Sequence, residues 1–240
     1  MAVDPAEIRA CSFDCYGTLI DWQTGILGAL RPRLAARGVT LADDEILRRY
    51  AALEAAAEDP ANGPFRPYRE VLEAVAAGFF PQPTEDERTC LWRSLATADG
   101  GAGGWPAFPD TPPSLARLKQ RYAIIIASNI DDDLFAYSRP KLGVDPDHII
   151  TAQQVRSYKP ARPHFDEILR RTGLSPQQVL HVGESRRHDV EPARAMGFRT
   201  AWINRTGGAA SASGDPADPS VRPDITVPTL AALCDALGLP

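Results

Sequence analysis

No apolar run in this 240-residue chain approaches the roughly 20 residues that a bilayer-spanning helix needs, so an integral membrane protein is not expected. The opening stretch MAVDPAEIRA has neither a basic flank nor an apolar core, which argues against a secretory leader and for a cytoplasmic protein. Positive charge is in deficit. The 26 Lys and Arg against 31 Asp and Glu give a net charge of −5, which offers no basic footprint for nucleic acid or an anionic membrane surface. Cysteine is scarce as well: Cys11, Cys15, Cys90 and Cys234 include no Cys-x-x-Cys pair, and they read as reduced core thiols in a reducing cytoplasm. Four scattered histidines offer no zinc-ligand spacing. What these absences leave is an ordinary globular composition, 44% hydrophobic and 24% charged, long enough for one large domain or a core with a modest insertion.

What is present changes rhythm twice along the chain. IRACSFDCYG, from Ile8, reads as a short buried strand ended by a glycine turn. From Trp22 to about Trp92 the pattern is helical, with LADDEILRRYAALEAAAE, PYREVLEAVAAGFF and TEDERTCLWRSLAT as three helices, the last capped by Thr84 with acids in its first turn. The glycine- and proline-rich ADGGAGGWPAFPDTPP closes that block. Afterwards AIIIASN, HIITAQQV, QVLHVGES, RTAWINR and DITV read as five strands, with amphipathic segments such as ARPHFDEILRRTG between several of them. Apolar strands alternating with helices imply βαβ units and a parallel sheet. The fold class is therefore α/β, with residues 1–20 and 99–240 expected as the core and residues 21–98 as an inserted helical cap. TGGAASASGDPADPSVRP, from Thr206, reads as a surface loop.

In open parallel sheets ligands bind beyond the carboxyl ends of the strands, and four such ends here carry polar residues. Asp14 ends the first, with Thr18 past the glycine; Ser128 and Asn129 end the second; Lys159 precedes a helix; Glu184, Ser185 and Asp189 follow the strand QVLHVG. Each has a plain alternative. Asp14 could cap its turn, Ser128 and Asn129 the next helix, and Glu184 and Asp189 a helix N-terminus, while Lys159 could be a solvated loop residue. Their succession, each at the end of an apolar strand, is a stronger signal than any one of them.

Together, FDCYGTLIDW, ASN, YKP and HVGESRRHD resemble the four motifs of the haloacid dehalogenase superfamily, a Rossmann-like α/β fold with a helical cap. Tyr16 and GTLID resemble its L-2-haloacid dehalogenase branch, which is metal-independent. WPAFPDT, SNID, KLGV, DHIITAQQVRSYKP and WINR bring the chain nearer to the azetidine-2-carboxylate hydrolases of that branch. The resemblance implies covalent catalysis without a cofactor on a small carboxylic acid, in a homodimer. Asp14 would attack the carbon alpha to the carboxylate, displacing halide or opening a C–N bond, and water would hydrolyse the aspartyl ester. Lys159 would neutralise the nucleophile, Thr18 and Ser128 would hold its oxygens, and Asp189 would hold Lys159 or activate the water. Asn129 and a cap arginine would receive the leaving group. The Leu-Glu that follows points to Arg49, although spacing leaves neighbouring Arg48 open. Tyr16 stands where phosphatases of the superfamily carry their proton-donating acid. Halide needs no such donor.

Two features depart from the dehalogenase pattern. Gly183, Glu184 and Ser185 replace its usual Ser-Ser-Asn, with one extra residue before Asp189, and Phe165 replaces its tyrosine. Glu184 and Asp189, with Asp14, would suit Mg²⁺ in a phosphatase, the alternative enzyme reading. A non-catalytic binding module on the same fold is the third reading. The Trp22 region and PFRPYREVL are expected walls of the pocket, or else cap core.

Overall fold

The computed structural model describes residues 3–96, 104–205, 207, 218 and 220–240. The expected boundary at 98/99, residues 98–103 of the glycine-rich stretch and most of the loop from Thr206 lie outside the described residues. Six strands, β1 (Ala10–Phe13), β2 (Ala123–Ser128), β3 (His148–Thr151), β4 (Val179–Gly183), β5 (Arg199–Ile203) and β6 (Ile225–Val227), form one parallel sheet. Its order is β3-β2-β1-β4-β5-β6. β1, β2 and β4 are buried along almost their whole length, which is why they read as continuous apolar runs and not as alternating ones. Phe13, the last residue of β1, pairs with Ile126 on one side and Val182 on the other, so the three central strands end within two residues of one another. The strand order reverses at β1, and the crevice beside such a reversal is where open α/β sheets bind ligands.

Between β1 and the glycine-rich stretch the described residues form four α-helices, α1 (Trp22–Ala36), α2 (Asp43–Glu58), α3 (Tyr68–Phe79) and α4 (Glu85–Leu95). That is one more than the sequence reading names. α1 is only weakly amphipathic, with Gly25, Gly28 and Pro32 inside it, so its period is faint; the Asp21 side chain starts it by accepting from Thr24 N at 3.1 Å. Thr84 and Glu87 complete the expected cap of α4 as a reciprocal capping box. α5 (Thr111–Lys119) leads into β2, and α6 (Asp132–Ser138), α7 (Ala152–Val155) and α8 (Pro163–Thr172) follow among the later strands. HIITAQQV is therefore only half strand. Thr151 caps a helical turn at Ala152 by accepting from Gln154 N, which ends the extended run. No helix among the described residues is long and apolar enough to cross a membrane.

The four helices share one apolar cluster with the sheet face beneath them, and Trp105 is its largest fully buried side chain. Its indole N–H donates to Ser94 Oγ at 2.9 Å, and its ring lies flat on Gly25, where an added Cβ would stand 2.2 Å from a ring carbon. Gly25→Ala must push that ring away, so a loss of about 1–3 kcal/mol is expected from overpacking. A urea midpoint unchanged from wild type would show that the ring has room to move.

Candidate active site

Asp14 continues β1 by one residue, its N–H donating to Val182 O at 2.9 Å, and so delivers its side chain at the mouth of the sheet. Gly17 then turns the chain at φ 96°, a conformation that favours glycine, and any Cβ there would also meet the Trp22 ring nitrogen at 3.0 Å. The turn folds Thr18 back under the acid. Its hydroxyl donates to Asp14 Oδ2 at 3.0 Å and accepts from Glu184 N at 2.9 Å, tying β1 to the end of β4.

Lys159 reaches the same carboxylate from the loop before α8. Its ammonium is 2.9 Å from Asp14 Oδ1 and 2.6 Å from Asp189 Oδ1, and the residue is 2% exposed. Asn129 clamps the lysine's backbone, Oδ1 accepting from Lys159 N at 2.7 Å and Nδ2 donating to Lys159 O at 3.1 Å. Asp189 sits in a single π-helical turn, Arg186–Val190, capped by Ser185, whose Oγ accepts from His188 N. The wide turn takes up the extra residue noted in the sequence, as such bulges do at functional sites. A chain of contacts holds Asp189 from behind: His181 Nε2 is 3.2 Å from Oδ1, and His181 Nδ1 is 2.8 Å from Ser12 Oγ.

Burial dominates the electrostatics. It pushes the Asp14 carboxyl up to about 6, against the pull of Lys159 and Thr18. Burial also works against the charges of Asp189 and Lys159. There it loses: Lys159 and His181 hold Asp189 well below the usual carboxylate range, and the two aspartates hold Lys159 above the usual lysine value. Gly183 is what allows this packing, because a Cβ there would stand 2.5 Å from Asp189 Cγ. Gly183→Ala is expected to displace Asp189 from Lys159 and lower turnover by about 10²-fold, the scale of an ångström-level misplacement. Steady-state kinetics beside a circular dichroism spectrum would check it; wild-type turnover would contradict it.

These groups open into a cavity of about 80 Å³. Among the residues expected in the site, Asp14, Tyr16, Ser128, Asn129, Lys159, Glu184, Ser185 and Asp189 all line it, with Thr18 directly behind Asp14. Trp22 and Tyr68 form part of its wall, from the two stretches singled out for that role. Tyr16 is a neutral wall, since burial raises its phenol well above the usual range and its hydroxyl is 2.9 Å from Ser138 Oγ. Glu184 directs its backbone O to Trp202 Nε1 at 2.8 Å, which anchors the loop after β4.

Several expectations are corrected. Arg49 lies outside the site: it is exposed, donates to Gly78 O at 2.6 Å and stacks over the Phe79 ring. Arg48 is exposed too and pairs with Asp44 one helical turn away. The reason is helix phase, because α2 buries Ile46 and Tyr50 and so turns positions 48 and 49 away. Ser128 does not hold the nucleophile; its buried Oγ has no protein partner. Asn129 uses its amide on the Lys159 backbone, so it positions the lysine. Phe165 packs edge-on against His181 inside the core and lines no part of the cavity. Among the described residues no group of three His, Cys, Asp or Glu is arranged to hold a metal ion, so Asp14, Glu184 and Asp189 do not converge as such a set.

The sequence reading missed His181 and the acidic wall from α2. Tyr50, Glu54 and Glu58 all line the cavity. Their spacing of four was the available signal, since it places all three on one helix face.

Comparisons with known proteins bear on the family and the fold. Residues 8–197 match the family of haloacid dehalogenase-like hydrolases. Haloacetate dehalogenase H-2 of Moraxella sp. (strain B) is 28% identical, covering 97% of this chain and 99% of the relative. The (S)-2-haloacid dehalogenase of Pseudomonas sp. (strain YL) is also 28% identical, over 88% of this chain and 89% of its own. The fold is similar to the crystal structure of a defluorinating L-2-haloacid dehalogenase, with a TM-score of 0.75 at 23% identity over 96% and 95% of the two chains.

Proposed function

This chain belongs to the haloacid dehalogenase-like hydrolase family, and from that premise we propose that it hydrolyses a small 2-substituted carboxylic acid through an ester on Asp14, without a metal. The observation that carries the reading is the setting of Asp14: both oxygens are held, by Lys159 Nζ and Thr18 Oγ1, while the carboxylate faces the cavity. A carboxylate so held is aimed as a nucleophile. It attacks C2, displacing halide or an amine nitrogen; water then attacks the ester carbonyl and returns Asp14. Lys159 offsets the charge that moves on and off Asp14. The depressed Asp189 carboxyl is a weak base, which favours the role of holding Lys159. Ser128 Oγ, with no protein partner, is free to donate to the substrate. Helices from residues 21–98 serve as the cap over the core of residues 1–20 and 99–240. Four free, buried cysteines suit a cytoplasmic location. A homodimer is part of the proposal, and sedimentation equilibrium tests it.

The test is a single turnover in oxygen-18 water with excess chelator, using L-2-chloropropionate and L-azetidine-2-carboxylate as probes. One heavy oxygen is expected in the peptide containing Asp14, because water attacks the ester's carbonyl carbon. No labelled peptide and no covalent adduct with either probe would end the reading.

The nucleophile must be ionised. Its carboxyl is pushed up to about 6, so kcat/KM is expected to fall as pH drops through about 6 and to be level above it. A profile flat down to pH 4.5 would contradict that assignment.

A further inference from the structure

The wall that α2 contributes has the wrong charge for a departing anion. Tyr50, Glu54 and Glu58 share one helix face and line the same cavity as Asp14. Glu54 Oε1 accepts from the Tyr50 hydroxyl at 2.9 Å and from the Tyr68 hydroxyl, and the two hydroxyls are 3.2 Å apart. Glu58 Oε2 is 3.4 Å from Asn129 Nδ2, beside the Lys159 loop. The arginine expected to receive halide lies outside, stacked on Phe79. A halide leaving into this space would meet two carboxyl groups. A cation would meet oxygen acceptors and the aromatic side chains of Trp22 and Tyr50, which line the same cavity. Ser128 points to a ligand independently, because its fully buried hydroxyl lines the same cavity without a protein partner.

We propose that Glu54 and Glu58 form an acid pair that binds the nitrogen of an amine-bearing substrate and keeps it protonated as the carbon–nitrogen bond breaks. The inference rests on the hydrolase reading for its chemistry. In the first step an Asp14 oxygen bonds to C2, and the C2–N electron pair moves onto the nitrogen, which leaves as an amine. In the second, water attacks the ester carbonyl; the product alcohol takes one water proton, Asp14 returns as carboxylate, and the other proton passes through the acid pair to the amine. Burial and neighbouring Glu54 push the Glu58 carboxyl well above its usual range, the direction expected of a group that relays a proton.

Isothermal titration at pH 7 with L-proline and with cyclopentanecarboxylate tests this, since the two differ by one ring nitrogen and neither ring is strained. Wild type is expected to bind L-proline at least about tenfold more tightly, the size of one charge-assisted hydrogen bond. Glu54→Gln and Glu58→Gln should each bring the two ligands to within about threefold of one another. Melting curves are read alongside; where a Gln variant is unfolded, Glu58→Asp, which shortens the reach, should weaken L-proline the more. Equal binding by wild type, binding of neither ligand, or a preference that survives both substitutions overturns the inference. The two proposals fail separately. Preference for L-proline without an Asp14 ester sinks the hydrolase reading alone, and an ester without the preference sinks only this one.

Discussion

Asp14→Asn is expected to abolish turnover and to leave the protein folded. An amide oxygen cannot form the ester, and losing the nucleophile of a covalent mechanism removes at least about 10⁴-fold of rate. Lys159 can still donate to the amide oxygen, and the amide NH₂ can donate to the Thr18 hydroxyl in the other position, so the geometry has no reason to collapse, and Lys159 keeps Asp189 as its counter-charge. The effect on stability has a definite sign. The folded carboxyl is pushed up to about 6, above the roughly 4 of an exposed aspartate. Its ionised form is therefore disfavoured by folding. The stability that the protonated group contributes is full below pH about 4 and is lost as pH rises through about 6. Relative to Asp14→Asn, wild type should thus lose stability between pH 4 and pH 7. Urea midpoints of both proteins across that range, with turnover assays beside them, check the two halves together. Turnover within tenfold of wild type would remove Asp14 from the chemistry.

Lys159→Met should produce the largest loss of stability. The ammonium lies between two carboxylates, and neither it nor Asp189 is more than 2% exposed. Removing it leaves Asp14 and Asp189 facing one another in a buried site with no cation between them. Breaking a buried charge network from one side costs about 3–5 kcal/mol, far more than the loss of a surface pair. The deficit should be greatest at pH 7 and should shrink as pH falls, because protonating the carboxyls removes the charge left uncompensated. Turnover falls as well, by about 10²-fold or more, since the charge that moves on Asp14 loses its fixed partner. Lys159→Arg is not expected to restore it: a planar fork does not fit between two oxygens that converge on one nitrogen. Denaturant midpoints at pH 7 and pH 5 give the answer. A loss below about 1 kcal/mol at pH 7 would mean that solvent reaches the site and screens it.

Much of the fold was legible because its causes are local. β2 and β4 announce themselves as short apolar runs with β-branched residues, and Thr84 followed by Glu87 announces a helix start. β3 was overrun because Thr151 suits a strand end and a helix cap equally, and the choice depends on the carbonyl and amide groups around it. Asp14, Lys159 and Asp189 could be picked out in advance because each follows an apolar strand at the carboxyl edge of the sheet or opens the next helix there.

What the sequence by itself determined was therefore the parallel α/β core, the helical block between β1 and β2, and the trio that meets at the central strands. What only the tertiary structure decided was which face of α2 turns inward. Neighbouring helix positions differ by about 100°, so the packing that buries Tyr50 sends Arg49 to solvent and brings Glu54 and Glu58 to the cavity. In composition those two glutamates look like ordinary surface helix formers. Their chemistry comes from desolvation, from two tyrosine hydroxyls and from a shared cavity with Asp14, none of which exists until residues far apart in the chain are folded against one another.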